Sequence, residues 1–209
     1  MEESQLREMR QARNPHNQLV RITPVKREDE IRKAAYDILG TKGLEELHAR
    51  TVAKAIGINH ATVHYYFPTR DDLIIAVAEY ALHQLIRDRL QFQHSARTPR
   101  EKLEAEIALA EAYCRTQSRF IKVLGGLYVA GVASPKVKQK VAAIWAEWRS
   151  LVAEQVQSSG SAIAANSTYR DPDLLLSTLF GLGLASHMLD GKFNPQQRLD
   201  LVFTSMFKR

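Results

Sequence analysis

Apolar residues recur along this chain at intervals of three and four. Ile31, Ala34, Ala35 and Ile38 share one face of a first helix, whose end is expected near Gly40 and Gly43. Leu73, Val77, Tyr80, Ala81 and Leu85 predict a long helix from about Thr69 to about Phe92. Val141, Ile144, Trp145, Trp148, Leu151 and Val152 repeat in the same way. Period-two alternation is not sustained over a useful length, so no strand is expected. Five of the seven prolines follow a side chain able to cap a helix: Thr23-Pro24, Thr98-Pro99, Ser134-Pro135, Asp171-Pro172 and Asn194-Pro195. The capping oxygen accepts from free N–H groups of the first turn, and proline at the first helical position forfeits no hydrogen bond. Thr98 and Asn194 are also followed three residues on by Glu101 and Gln197, the spacing of a capping box. These signals predict an all-α chain of about nine helices.

The pattern divides into a short-helix module over about 24–70 and a long-helix bundle over about 98–209, joined by the helix that begins near Thr69. The expected organisation is a flexible tail (1–22), a three-helix N-terminal domain (23–70) and a helical domain for sensing and dimerisation (71–209). Arg7, Arg10, Arg13 and Arg21 make the tail basic; it reads as a solvated segment, with a DNA-grasping arm as the alternative. Residues 158–170 are small and polar and read as a loop.

Composition narrows the class. Hydrophobic residues make up 45 % of the 209 positions, enough for a buried core. A lone cysteine, Cys114, excludes an internal disulfide and a multi-cysteine metal cage, and reads as a small buried hydrophobe in a reducing compartment. The N-terminus lacks the apolar stretch of a secretory signal. No run approaches the roughly 18 apolar residues of a membrane span; the longest near the end, Leu179 to Leu189, is broken by Ser186 and His187. A cytoplasmic protein without membrane contact is expected. Net charge is +6, but residues 1–75 hold 12 Lys/Arg against 11 Asp/Glu, so total charge does not locate a polyanion site. The local pattern does. From Leu47 to Arg70 there is no acid, while Arg50, Lys54, Arg70, His48, His60 and His64 are present, as a phosphate-facing surface requires.

That same stretch, Leu47 to Phe67, has the spacing of a helix-turn-helix. Two short helices crossing steeply need a small residue at the crossing, supplied by Ala53. The turn needs a residue that tolerates positive φ four positions later, supplied by Gly57. Val52, Ile56, Ile58, Val63 and Phe67 can pin both helices to the first, and Asn59 can cap the second. His60, Ala61, Thr62, His64 and Tyr65 are left on the outward face, where donors, aromatics and a methyl suit base edges, thymine methyls and phosphates. An ordinary helical hairpin with a wet polar face is the competing reading. His60 and His64 stand four apart, but no Glu follows His60, so the zinc-protease pattern is absent and no metal or cofactor is expected.

Residues 57–73, Gly-Ile-Asn-His-Ala-Thr-Val-His-Tyr-Tyr-Phe-Pro-Thr-Arg-Asp-Asp-Leu, resemble the signature of the tetracycline-repressor-like (TetR) family. Ala34-Ala35, Gly43 and Val52-Ala53 also match, so the resemblance covers about 28–75. It implies a dimeric DNA-binding regulator, by default a repressor, released from a pseudo-palindromic operator by an unknown small-molecule effector. Thr62 and Tyr66 would bond phosphates, and His60, Ala61 and Tyr65 would face bases. Arg70 would hold phosphate with its helix N-terminus, and His48 or Arg50 would touch the flanking backbone. With Thr51, Asn59 and His64 these complete the candidate DNA-binding set. His64 stands where the family has Tyr, Ala61 where Gly is common and Arg70 where Lys is usual, so base preference is not transferred.

In the bundle, the candidate pocket residues are Tyr113, Gln117, Tyr128, Trp145, Trp148, Phe180 and His187, aromatics and polar groups on expected helices. Gly125-Gly126 permits a kink or a close approach. The last two helices are expected to form an isologous contact through Leu184, His187, Met188, Val202, Phe203 and Met206; closure of a single bundle is the alternative. No nucleophile–base pair, phosphate loop or spaced carboxylate cluster is found, so an enzyme is not expected.

Overall fold

A computed structural model describes residues 24–115, 118–160, 163–165, 167–189 and 193–207. Among them are nine α-helices and no strand: α1 (Pro24–Lys42), α2 (Ala49–Ile56), α3 (His60–Tyr66), α4 (Arg70–Phe92), α5 (Pro99–Arg115), α6 (Ser118–Ala133), α7 (Pro135–Ser159), α8 (Pro172–Met188) and α9 (Pro195–Phe207). The basic tail (1–22) and Gln117 lie outside the described residues.

All five proline-marked starts are helix starts. Ser134 Oγ accepts from Val137 N at 3.3 Å and Asp171 Oδ1 from Asp173 N at 2.8 Å. At α5 the box is reciprocal: Thr98 Oγ1 accepts from Glu101 N and Glu101 Oε2 from Thr98 N. α4 carries a second box, Thr69 with Asp72, in which aspartate plays the part of the longer acid.

α1 ends at Lys42, beside Gly43 at φ 86°, near the glycines where its end is expected. Gly40 lies inside the helix, where α6 crosses α1 so closely that a Cβ on Gly40 would collide with the stem of Arg119, and one on Gly126 would lie 2.8 Å from Leu39 Cδ1. The glycines set the separation of α1 and α6. One expectation needs correction: the segment 158–170 is more than a polar loop. α7 continues to Ser159, Thr168–Arg170 form a 3-10 turn, and Ile163 and Ala164 are buried. The Arg170 guanidinium donates to the carbonyls of Gly160, Ile163 and Ala164, and Ala164 N donates to Met206 O at 2.7 Å.

One apolar core runs from Ile31 in α1 to Met206 in α9. α4 spans it, packing against α1, α5, α6 and α7 and contributing Leu73, Val77, Ala81 and Leu85. Burying each such large side chain stabilises the fold by roughly 1.5–3 kcal/mol. Val202 and Met206 are buried within the protomer, at 3 % and 0 % exposure, so they close the bundle and do not face a partner. Met188, Leu201 and Phe203 remain exposed on α8 and α9, and Leu184 is half-buried against Gly125.

Candidate nucleic-acid interface and effector cavity

α2 and α3 form the helix-turn-helix by local rules. His48 caps α2, its ring accepting from Thr51 N at 3.3 Å. α2 ends at Gly57, which adopts φ 67°, ψ 35° and returns its N–H to Ala53 O. A Cβ is disfavoured in that left-handed region, so glycine permits the turn. Asn59 Oδ1 then accepts from Ala61 N at 2.9 Å and starts α3. Val52, Ala53 and Val63 are buried, and Phe67 closes α3 with its N–H on Val63 O at 2.8 Å.

Pinning this inner face leaves the outer one in solvent. His60, Ala61, His64 and Tyr65 are exposed, Tyr65 at 79 %. Thr62 and Tyr66 are half-buried at its edge, and the Tyr66 ring braces Tyr65 edge-on at 5.2 Å. The His60 and His64 rings meet edge to face at 6.1 Å. Beside α3 an open cleft of about 370 Å³ separates the start of α2 from the start of α4; His48, Arg50, His64, Thr69 and Arg70 line it. Two helix N-termini and four nitrogen-bearing side chains, two histidines and two arginines, converge there, the arrangement that receives a phosphate. The nearest acids of α4 are turned away. Asp71 accepts from Ser134 Oγ at 2.6 Å, and Asp72 pairs with Lys136 Nζ at 2.5 Å. Those bonds from Lys136 and Thr69 hold the Asp72 carboxyl below its ordinary range.

Arg70 has a task that its sequence context did not reveal. Its Nη2 donates to Leu44 O at 2.6 Å and its Nε to Leu47 O at 3.3 Å. It therefore ties the first turn of α4 to the loop before α2, while its exposed remainder borders the cleft.

In the bundle, five of the candidate pocket residues come together. Trp148 and Phe180 separate two small spaces, of about 10 and 30 Å³. Tyr113 lines the smaller, and Tyr128 and Trp145 line the larger. Phe180 lies 5.7 Å from the Tyr128 ring and 6.0 Å from that of Trp145. Tyr113 stacks on Phe120 at 4.3 Å and donates to Asp88 Oδ2 at 2.8 Å; burial, reinforced by Asp88, pushes its phenol far above the ordinary range. His187 is not part of this cluster. Its ring bonds to Gly183 O at 2.8 Å within α8, away from both spaces.

Sequence reasoning missed the polar centre of this region. Glu106, 2 % exposed, accepts from Arg89 Nε at 2.7 Å and from Trp148 Nε1 at 3.2 Å. The signal was present as a charge in each apolar stripe: Arg89 continues the four-residue spacing Val77, Ala81, Leu85, and Glu106 sits between Leu103 and Ile107.

Comparison with known proteins follows the same lines. Residues 31–77 match the sequence model of the family described as bacterial regulatory proteins, tetR family. The HTH-type transcriptional regulator BetI of Brucella canis is 28 % identical over 120 residues, covering 57 % of this chain and 60 % of its own length. BetI of Rhizobium meliloti is 30 % identical over 91 residues, 44 % of each chain. The match thus spans about 60 % or less of these relatives. Among solved structures, a protein of Saccharomonospora viridis described as a transcriptional regulator, in complex with choline, superposes with a TM-score of 0.75 at 18 % identity, covering 88 % of this chain and all of the other. A TetR-family transcriptional regulator from Agrobacterium tumefaciens gives 0.69 at 16 % identity, covering 85 % and 98 %. The α2–Gly57–α3 geometry and the matching residues 31–77 make the N-terminal module similar to the DNA-binding part of the bacterial regulatory proteins of the tetR family, and the helical bundle that follows shares its fold with those solved structures.

Proposed function

We propose that this chain is a dimeric, sequence-specific DNA-binding regulator, a repressor released from a pseudo-palindromic operator by a small-molecule effector. The observation that carries the reading is the acid-free outer face of α3, with Tyr65 and His60 fully presented beside the cleft of His48, Arg50 and Arg70. Residues 23–70 act as the DNA-binding domain and 71–209 as the sensing and dimerising one. Tyr65, His60 and Ala61 read base edges; Thr62, Tyr66, His48, Arg50 and the free edge of Arg70 hold phosphates. Thr51 and Asn59 act chiefly through the caps they complete. The exposed residues Met188, Leu201 and Phe203, with Leu184 and His187, supply the dimer face. Two α3 helices must then meet successive major grooves about 34 Å apart.

The effector enters beside Trp148 and Phe180. Spaces of about 10 and 30 Å³ accommodate no more than a water or so, and the effector binds better to an arrangement in which these walls part. Tyr128 and Trp145, exposed or half-buried, form the side that opens. Four aromatic faces favour an organic cation, and the Saccharomonospora viridis neighbour was solved with choline. Parting these walls displaces α6 and α7. α6 is keyed to α1 by Gly126 against Leu39, and α7 to α4 by Lys136 with Asp72, so the recognition helices change spacing.

Selection from a random pool of double-stranded DNA tests the reading. The expected product is an inverted repeat with half-sites one helical turn apart, whose binding weakens as choline is added. A pool that never converges would refute the reading of the chain as a sequence-specific regulator. Convergence without any response to choline would refute only the cation class of the effector.

A further inference from the structure

A second, larger recess lies on the other side of the Arg89–Glu106 pair. It measures about 440 Å³ and opens between the end of α4, the start of α5 and the second half of α7. Arg89, Gln93, Lys102, Glu147, Glu154 and Gln155 line it. None of the sequence signals pointed here, and the recess does not include the aromatic residues of the effector cavity.

Two buried side-chain atoms of residues that line this groove lack partners. Arg89 is 6 % exposed, and its Nη2 has no acceptor; Gln155 Oε1 is likewise buried with no donor. Buried polar atoms are almost always paired, because an unpaired one forfeits its hydration without return. An unmet donor and an unmet acceptor on residues in the walls of one recess suggest the complement of its occupant. Glu106 engages Arg89 only through Nε, so the far edge of the guanidinium is unused, and that planar fork matches a carboxylate. Gln155 Oε1 needs a donor, and Glu147 and Glu154 add negative charge on the same α7 wall. A polyanion would meet these two carboxylates, and a simple cation would leave Arg89 unmet.

We infer that this groove binds a small zwitterion bearing a carboxylate and an ammonium group, as an amino acid does. The carboxylate lies on Arg89 with Lys102 alongside, and the ammonium on Gln155 Oε1 with Glu147 or Glu154. The site reports itself. Its arginine holds Glu106, which accepts from the Trp148 indole, and Trp148 also lines the aromatic spaces. Occupancy therefore changes tryptophan emission and is coupled to the effector cavity, reciprocally.

The test is titration of the full-length protein with each standard amino acid, read by tryptophan emission and by calorimetry, with acetate, methylammonium and inorganic phosphate as controls. At least one amino acid should saturate the protein below about 10 mM and bind about tenfold or more tighter than acetate or methylammonium. Gln155→Leu, at a half-buried position, should weaken it about fivefold or more while keeping the wild-type circular dichroism. Arg89→Lys should weaken it further. Saturation by no amino acid, phosphate binding as tight as any zwitterion, or undiminished binding in Gln155→Leu would each overturn the assignment.

Discussion

Consider Glu106→Gln. The carboxylate is 2 % exposed and lies 2.7 Å from Arg89 Nε, itself on a side chain only 7 % exposed. The substitution keeps the shape and an acceptor for Trp148 Nε1 but removes the charge that neutralises the guanidinium. Unit charges about 4 Å apart attract by about 4 kcal/mol at an effective dielectric near 20. Breaking a buried pair from one side typically costs 3–5 kcal/mol, because the survivor is left uncompensated. The amide recovers part of this as a neutral hydrogen bond, so the expected loss is about 3 kcal/mol, or roughly a hundredfold in the folding equilibrium. Removing the guanidinium as well, Arg89→Met with Glu106→Gln, keeps an acceptor for Trp148 Nε1, leaves no uncompensated charge and should recover part of that loss. The assay is urea unfolding by far-ultraviolet circular dichroism at one fixed protein concentration, since the stability of a dimer would depend on concentration. A loss below about 1 kcal/mol for Glu106→Gln, or a double variant less stable than either single one, would refute the picture of a mutually dependent buried pair.

Three further outcomes are expected. Gly57→Val forces a β-branched residue into φ 67° and should cost about 1–2 kcal/mol in a denaturation series, whereas Gly57→Asn should cost less. Arg70→Lys cannot reach both Leu44 O and Leu47 O, and should lower stability by about 1 kcal/mol and slow DNA association despite unchanged charge. Asp72 is held below its ordinary range by Lys136 and Thr69, so its contribution is complete above about pH 4 and is lost as the pH falls through its folded value. Acid titration by circular dichroism should show a shallower acid limb for Asp72→Asn than for wild type.

What the sequence disclosed was what is decided locally. A cap acts over three residues, so Thr98-Pro99, Ser134-Pro135 and Asp171-Pro172 announced their helices. The turn was equally legible, because Gly57 and Asn59 do their work within four positions. Features that depend on which surface meets which were not. Gly40 looks the same whether it ends a helix or admits a crossing one. Val202 and Met206 have the spacing of a covered face, but spacing does not say whether the cover is the same chain or another. Arg70 showed its charge and not the carbonyls it would find 23 and 26 residues away. The Arg89–Glu106 pair joins two helices across 17 positions and became visible only once α4 and α5 were side by side.

The central claim is that the exposed face of α3 reads DNA, and fluorescence anisotropy tests it most directly. Wild type and Tyr65→Ala would be titrated onto the inverted repeat recovered by selection and onto a scrambled duplex, over a salt series from about 50 to 200 mM. Tyr65 is 79 % exposed, with its ring edge-on to Tyr66, so its removal should leave folding intact. The account predicts tight binding of the inverted repeat by wild type, loss of about 1–3 kcal/mol of that preference in Tyr65→Ala, and nearly parallel salt slopes. Equal affinity of wild type for repeat and scramble, or an undiminished preference in Tyr65→Ala, would contradict it.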